Sequence, residues 1–139
     1  MPGVYADVIE RWTTTLPDEA TVERVRDDFW YVRVPGVARK WIGIEIESTE
    51  RSVKVTSHVI IEPDENHADV YSLLLRHNHQ ASGVAFSIDG KEGVICLVTR
   101  LHDVTDETLD EAVGVIVQKT EEIFRSILSI GFASRFKKS

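Results

Sequence analysis

A single cysteine, Cys96, leaves this chain of 139 residues nothing with which to close an internal disulfide, and that favours a reducing compartment. Long hydrophobic runs are missing as well. The longest aliphatic stretches, such as Val59-Ile60-Ile61 and Leu73-Leu74-Leu75, fall far short of the ~18 residues that a membrane span requires. Residues 1–7 carry no positive region and no apolar stretch, so they do not read as a signal peptide. Positive charge is scarce: 16 Lys and Arg stand against 23 Asp and Glu, a net charge of −7. That balance excludes nucleic-acid binding by bulk charge, because a basic face is needed to release phosphate counterions. The expectation is a cytoplasmic protein with neither a membrane nor a nucleic-acid partner.

Chemical motifs are equally sparse. The eight glycines are scattered and form no phosphate-cradling loop. There is no GxSxG elbow and no Cys-x-x-Cys. Five histidines, at 58, 67, 77, 79 and 102, include no HExxH pair, and one cysteine cannot supply a thiolate cluster. Cys96 lies between Ile95 and Leu97, where a thiol is core filling. Glu45 and Glu47 are two apart on one strand face beside Lys54. Acid–base chemistry would need those carboxylates in different environments, and they read as a solvated pair. No catalytic, cofactor-binding or metal-ligating residue is assigned, and the chain is read as a non-enzyme with no cofactor.

What the chain does have is periodicity, in one domain covering residues 1–139. Val8, Ile9, Trp12 and Leu16 make an apolar stripe over a helix at about 5–16. Residues 21–26 can be a short strand or a loop. Residues 29–34 read as a strand stopped by Pro35-Gly36. In 41–48, Ile42, Ile44 and Ile46 face one way, and in 52–61 Val53, Val55, Val59 and Ile61 do the same. A period of two with one polar face marks an antiparallel sheet with one wet side. Asp64 is placed to cap a helix that runs to about Asn78, with Tyr71, Leu74, Leu75 and Asn78 on one face. Asn78, on that apolar face, needs backbone partners from a neighbouring strand or loop. Two strands, 83–89 and 93–101, are joined by a turn containing Asp89-Gly90. Thr105 caps a last helix striped from Leu109 to Leu128, with Gly131 as its C′ stop and Arg135, Lys137 and Lys138 in a basic tail. The order is α-β-β-β-α-β-β-α: an α+β domain with helices on one face of a five-stranded antiparallel sheet.

Several of these stretches resemble the YbjN-domain family of bacterial proteins. They are Pro63-Asp64-Glu65-Asn66-His67 with Val70-Tyr71, Leu74-Leu75 and Asn78; Gly83-Val84-Ala85-Phe86-Ser87-Ile88-Asp89 with Arg100-Leu101 and Val104-Thr105; and Leu109-Asp110, Glu122, Phe124 and Ile130-Gly131-Phe132-Ala133. The resemblance covers about residues 29–133. It implies a sensory transduction regulator label, a fold similar to type III secretion chaperones, and a small, dimeric, non-enzymatic protein that binds other polypeptides. It carries over no catalytic residue. Asp64, Asn66, His67, Tyr71 and Asn78 are its structural motif.

One feature points the same way on its own. Residues 93–101 are apolar on both faces, with Val94, Cys96 and Val98 opposite Ile95, Leu97 and Leu101, and their hairpin partner adds Val84, Phe86 and Ile88. A one-sided sheet needs a second cover there. The expected cover is a second copy of the chain over Val84, Phe86, Ile88, Val94 and Val98, and the alternative is plain core placement. The function expected is a homodimeric chaperone-like or adaptor module for an unidentified protein or peptide, which the acidic surface would favour being basic. A small-ligand sensor or enzyme with a pocket near Asp64 and His67 is the alternative.

Overall fold

Isoleucine and valine at every second position build one wall of the core. The computed structural model describes residues 4–80 and 83–136. It contains α1 (Ala6–Thr13), β1 (Thr21–Arg26), β2 (Phe29–Pro35), β3 (Trp41–Ser48) and β4 (Val53–Ile61), followed by α2 (His67–Gln80), β5 (Ala85–Asp89), β6 (Val94–Leu101), α3 (Asp106–Gly131) and the single turn α4 (Ala133–Phe136). The strands form one antiparallel sheet in the order β1-β2-β3-β4-β6-β5. Trp30, Ile46, Val55 and Thr99 oppose one another across four of them and are all buried. Leu109, Ile116, Ile123 and Ile127 of α3 close the core from the helical side. Each such side chain contributes roughly 1.5–3 kcal/mol by leaving water.

The helix ends are secured by polar contacts. Thr105 and Thr108 form a reciprocal capping box at the start of α3, which satisfies donors a helix leaves orphaned. Helix α1 buries Ala6, Ile9 and Trp12. The Trp12 indole donates to Asp110 at 2.8 Å, and the Trp30 indole donates to Glu10 of α1 at 2.8 Å. Two buried N–H groups therefore find carboxylates only while α1 is docked.

The structure differs from the sequence reading at five points. The sheet has six strands rather than five, because residues 21–26 pair with β2. All six are exposed, so no face of β1 needed an apolar pattern to form. Ile61 is exposed rather than inward: a bulge between His58 and Ile60 puts Ile60 opposite Ile95 and turns Ile61 to the other face, opposite Val94. Arg39 donates to the carbonyls of His58 and Val59 at 2.6 Å each and holds that bulge. Leu75 is 68% exposed instead of buried on its helix. Asp64 does not cap α2, which begins at His67. Gly131 is not a left-handed stop but the last residue of α3, buried against Pro63. Of the basic tail, Lys137 and Lys138 lie outside the described residues.

The two glycines of α3 should respond oppositely to alanine. A Cβ at Gly131 would lie 2.6 Å from the Pro63 Cβ, whereas nothing stands within 4 Å of one at Gly114. Gly114→Ala should stabilise by about 0.5–1 kcal/mol through helix propensity. Gly131→Ala should destabilise by about 1–3 kcal/mol through overpacking. Urea unfolding of the two variants gives the signs directly.

Candidate protein-binding groove

The turn between β4 and α2 spends its polar side chains on the far end of α3 and on α4. Asp64 takes both nitrogens of the Arg135 fork, with Nη2 to Oδ1 at 2.9 Å, and this pairing raises the guanidinium pKa. Glu65 accepts from the Ser134 N–H at 2.8 Å and from its hydroxyl at 3.0 Å. Asn66 donates to the Ile130 carbonyl at 2.8 Å, and the N–H groups of Asp64 and Glu65 reach the Gly131 carbonyl. Asn66 itself has φ of 55°, a left-handed conformation that asparagine tolerates better than most residues. The first motif thus grips the Ile130-Gly131-Phe132-Ala133 motif through Asn66 and two backbone N–H groups, while its carboxylates hold Ser134 and Arg135 of α4.

Beyond that clamp, α2 lies along the edge of the sheet. Val70 and Leu74 are buried, while His67 meets Tyr71 edge-on at 6.0 Å. The Tyr71 hydroxyl donates to Glu62 at 3.1 Å. Its pKa is raised chiefly by burial, and further by the hydrogen bond to Glu62 and by that residue's charge. At the other end, Asn78 accepts from the Phe86 N–H at 2.6 Å and donates to the Phe86 carbonyl at 3.0 Å. One amide side chain therefore does what a neighbouring strand would do for that residue. Between helix and strand runs a groove of about 250 Å³ lined by Tyr71, Leu74, Leu75, Asn78, Phe86 and Ile88.

The residues expected at an interface divide among three places. Val84 and Phe86 are 4% and 6% exposed in the core, so neither offers a surface. They belong to the face that the helices already cover, which accounts for half of the apolar surplus. Ile88 is 44% exposed on the groove. Val94 and Val98 are half-buried on the uncovered face, beside Ile61 and the buried Cys96. Burial, then the nearby charges of Asp89 and Glu45, pushes the Cys96 thiol pKa up, which disfavours the thiolate. A polar hollow of about 500 Å³ lies on the same face among Glu45, Lys54, His58, Asp89 and Lys91. Among the described residues no group of His, Cys, Asp or Glu is arranged to hold a metal, and no helix is long and apolar enough to cross a membrane. The helix face read as Tyr71, Leu74, Leu75 and Asn78 lines the groove, and sequence reasoning missed that Leu75 stands exposed on it. The signal for Leu75 was present, since three successive leucines at 100° steps cannot all face one way.

A family model described as "YbjN: Putative bacterial sensory transduction regulator" matches residues 5–129. The chain belongs to the YbjN family. Similar proteins include an uncharacterized protein of Mycobacterium tuberculosis and one of Mycobacterium leprae, each 34% identical over 109 residues. The alignment takes in 77% of this chain and 59% of theirs, so the chain spans about three-fifths of the length of those relatives. Among solved structures, a chain of the HopA1–SchA chaperone–effector complex superposes with a TM-score of 0.52 at 11% identity, covering 87% of this chain and 93% of that one. At that identity the likeness concerns the fold, which is the chaperone-like α+β fold that the family resemblance implied, with one strand more than expected.

Removing the Asn78 amide should leave two strand-edge groups unpaired. Asn78→Ala is expected to cost about 1–3 kcal/mol, with faster hydrogen exchange at the Phe86 amide, whereas Asn78→Asp can still accept from that amide but sets an acceptor against the Phe86 carbonyl and should also destabilise. Tyr71 gives a second check. Its folded pKa lies above the unfolded value of about 10, so its contribution to stability is complete below that pH and is lost as pH rises through the folded value. Near-ultraviolet titration should show one late phenol, and Glu62→Gln should bring it earlier.

Proposed function

We propose that this YbjN-family chain is a non-enzymatic protein-binding module of chaperone or adaptor type that works as a homodimer. The observation that carries the binding reading is the α2–β5 groove, where two large apolar side chains, Leu75 and Ile88, stand exposed on opposite walls. Exposed apolar walls around a concave surface suit a polypeptide ligand. The polar clusters that would suggest chemistry have structural employment instead: Asp64, Glu65 and Asn66 grip α4 and the end of α3, and Glu121 holds the Val37 and Ala38 N–H groups. The likeness to a chaperone–effector chain agrees with this reading at the level of fold.

The homodimer rests on the uncovered face, where Ile61, Val94 and Val98 form an apolar strip that no helix reaches among the described residues. A two-fold axis through such a strip would let each copy cover the other. Light scattering across a concentration series should give twice the chain mass of 15.7 kDa. Val98→Lys should weaken the dimer at least tenfold, about 1.4 kcal/mol. Selection from a random peptide display library against the immobilised protein should enrich a shared sequence pattern. A monomer at every concentration would remove the dimer claim, and selection without enrichment would remove the binding claim.

A further inference from the structure

The two edges of the sheet are not equivalent. The β1 edge is guarded by a bulge between Arg24 and Arg26 and by the charges of Glu23, Arg24 and Arg26, which are the usual obstacles to strand addition. The β5 edge carries no charge from Ala85 to Ile88, and among the described residues only Asn78 bonds to its outward backbone groups. Because the Phe86 N–H and carbonyl both bond to Asn78, they point away from β6. Strand alternation then turns the N–H and carbonyl of Ile88, two residues on, outward in the same way. Directly beside that open rung lie the apolar walls of the groove. Behind Tyr71, a groove-lining residue, Glu62 accepts from the phenol and is in no ion pair among the described residues.

We infer that this groove takes an extended segment of a partner polypeptide as an added strand on β5, with an apolar side chain seated between Leu75 and Ile88 and a lysine or arginine reaching Glu62. The inference deepens the protein-binding reading and rests on it. Main-chain groups at Ile88 require main-chain partners, which is why the ligand is extended. Alternate side chains of such a strand face α2, which is why the pattern is apolar at every second position. Asn78 occupies the preceding rung, so the segment pairs at Ile88 and cannot slide to Phe86. The carboxylate of Glu62, in a chain of net charge −7, selects a basic residue there.

The probe is a short synthetic peptide of alternating valine and threonine with one lysine at its end, titrated into isotope-labelled full-length protein and followed by amide chemical shifts. Shifts are expected at Ile88, Leu75 and Tyr71. Methylating the peptide nitrogen that pairs with Ile88 should abolish binding, and replacing the lysine by glutamate should weaken it about three- to tenfold, a difference that shrinks in salt. Ile88→Glu should weaken binding at least tenfold, and Leu75→Glu, at a more exposed position, repeats the test should the first variant fold poorly. Equal binding of the methylated peptide, no binding, or shifts confined to the face of Val98 would overturn the assignment. So would a dimer that Ile88→Glu dissolves, because a second copy would then be the occupant. Display-selected peptides that ignore both groove variants would sink the groove alone, whereas selection that yields no binders would sink the protein-binding reading with it.

Discussion

The long helix α3 has twenty-six residues and only one sheet face in which to bury its apolar stripe. That constraint orders the rest of the domain. Leu109, Ile116, Ile123 and Ile127 take the centre of the face, so α1 is left one end and α2 is pushed out beside β5. A helix so displaced cannot bury its whole apolar side. Leu75 is what remains outside, and the groove is the gap between the displaced helix and the strand it only partly covers. The clamp from Asp64, Glu65 and Asn66 onto α4 and the end of α3 fixes how far that displacement goes.

Polar residues that look chemical in isolation turn out to be fasteners. Glu121 accepts two backbone N–H groups from the β2–β3 loop, Arg39 straps a bulge, and Asn78 completes a strand edge. In each case a backbone group that neither helix nor sheet could satisfy is satisfied by a side chain distant in sequence. Such contacts preserve the outline of the sheet edges.

Most of the fold was legible because it depends on local pattern. Ile42, Ile44 and Ile46 announced β3 by alternation, Asp89-Gly90 announced the last hairpin, and Thr105 announced the start of α3. What escaped depended on partners elsewhere in the chain. Asp64 has the right local setting for a cap, yet its carboxylate goes to Arg135, 71 residues away. Gly131 has the right position for a stop, yet its lack of a side chain serves the close approach of Pro63. Ile61 continued a period of two until a one-residue bulge reversed it. β1 could be read only as strand or loop, because an edge strand exposed on both faces writes no apolar pattern. At the candidate site, the need of Asn78 for backbone partners could be read from the sequence, but the groove it closes could not, since its walls come from separate elements.

The indole contacts near α1 have an optical consequence. Two of the three tryptophans, Trp12 and Trp30, are wholly buried with their N–H groups on carboxylates, and both arrangements exist only while α1 sits on the sheet. Trp41, half-buried under the Arg33 guanidinium at 5.0 Å, sits on the opposite, uncovered face. The chain therefore carries separate emitters for its two sides. Release of the first helix would register in two of them, and anything settling on the bare sheet would register in the third, without a label being added.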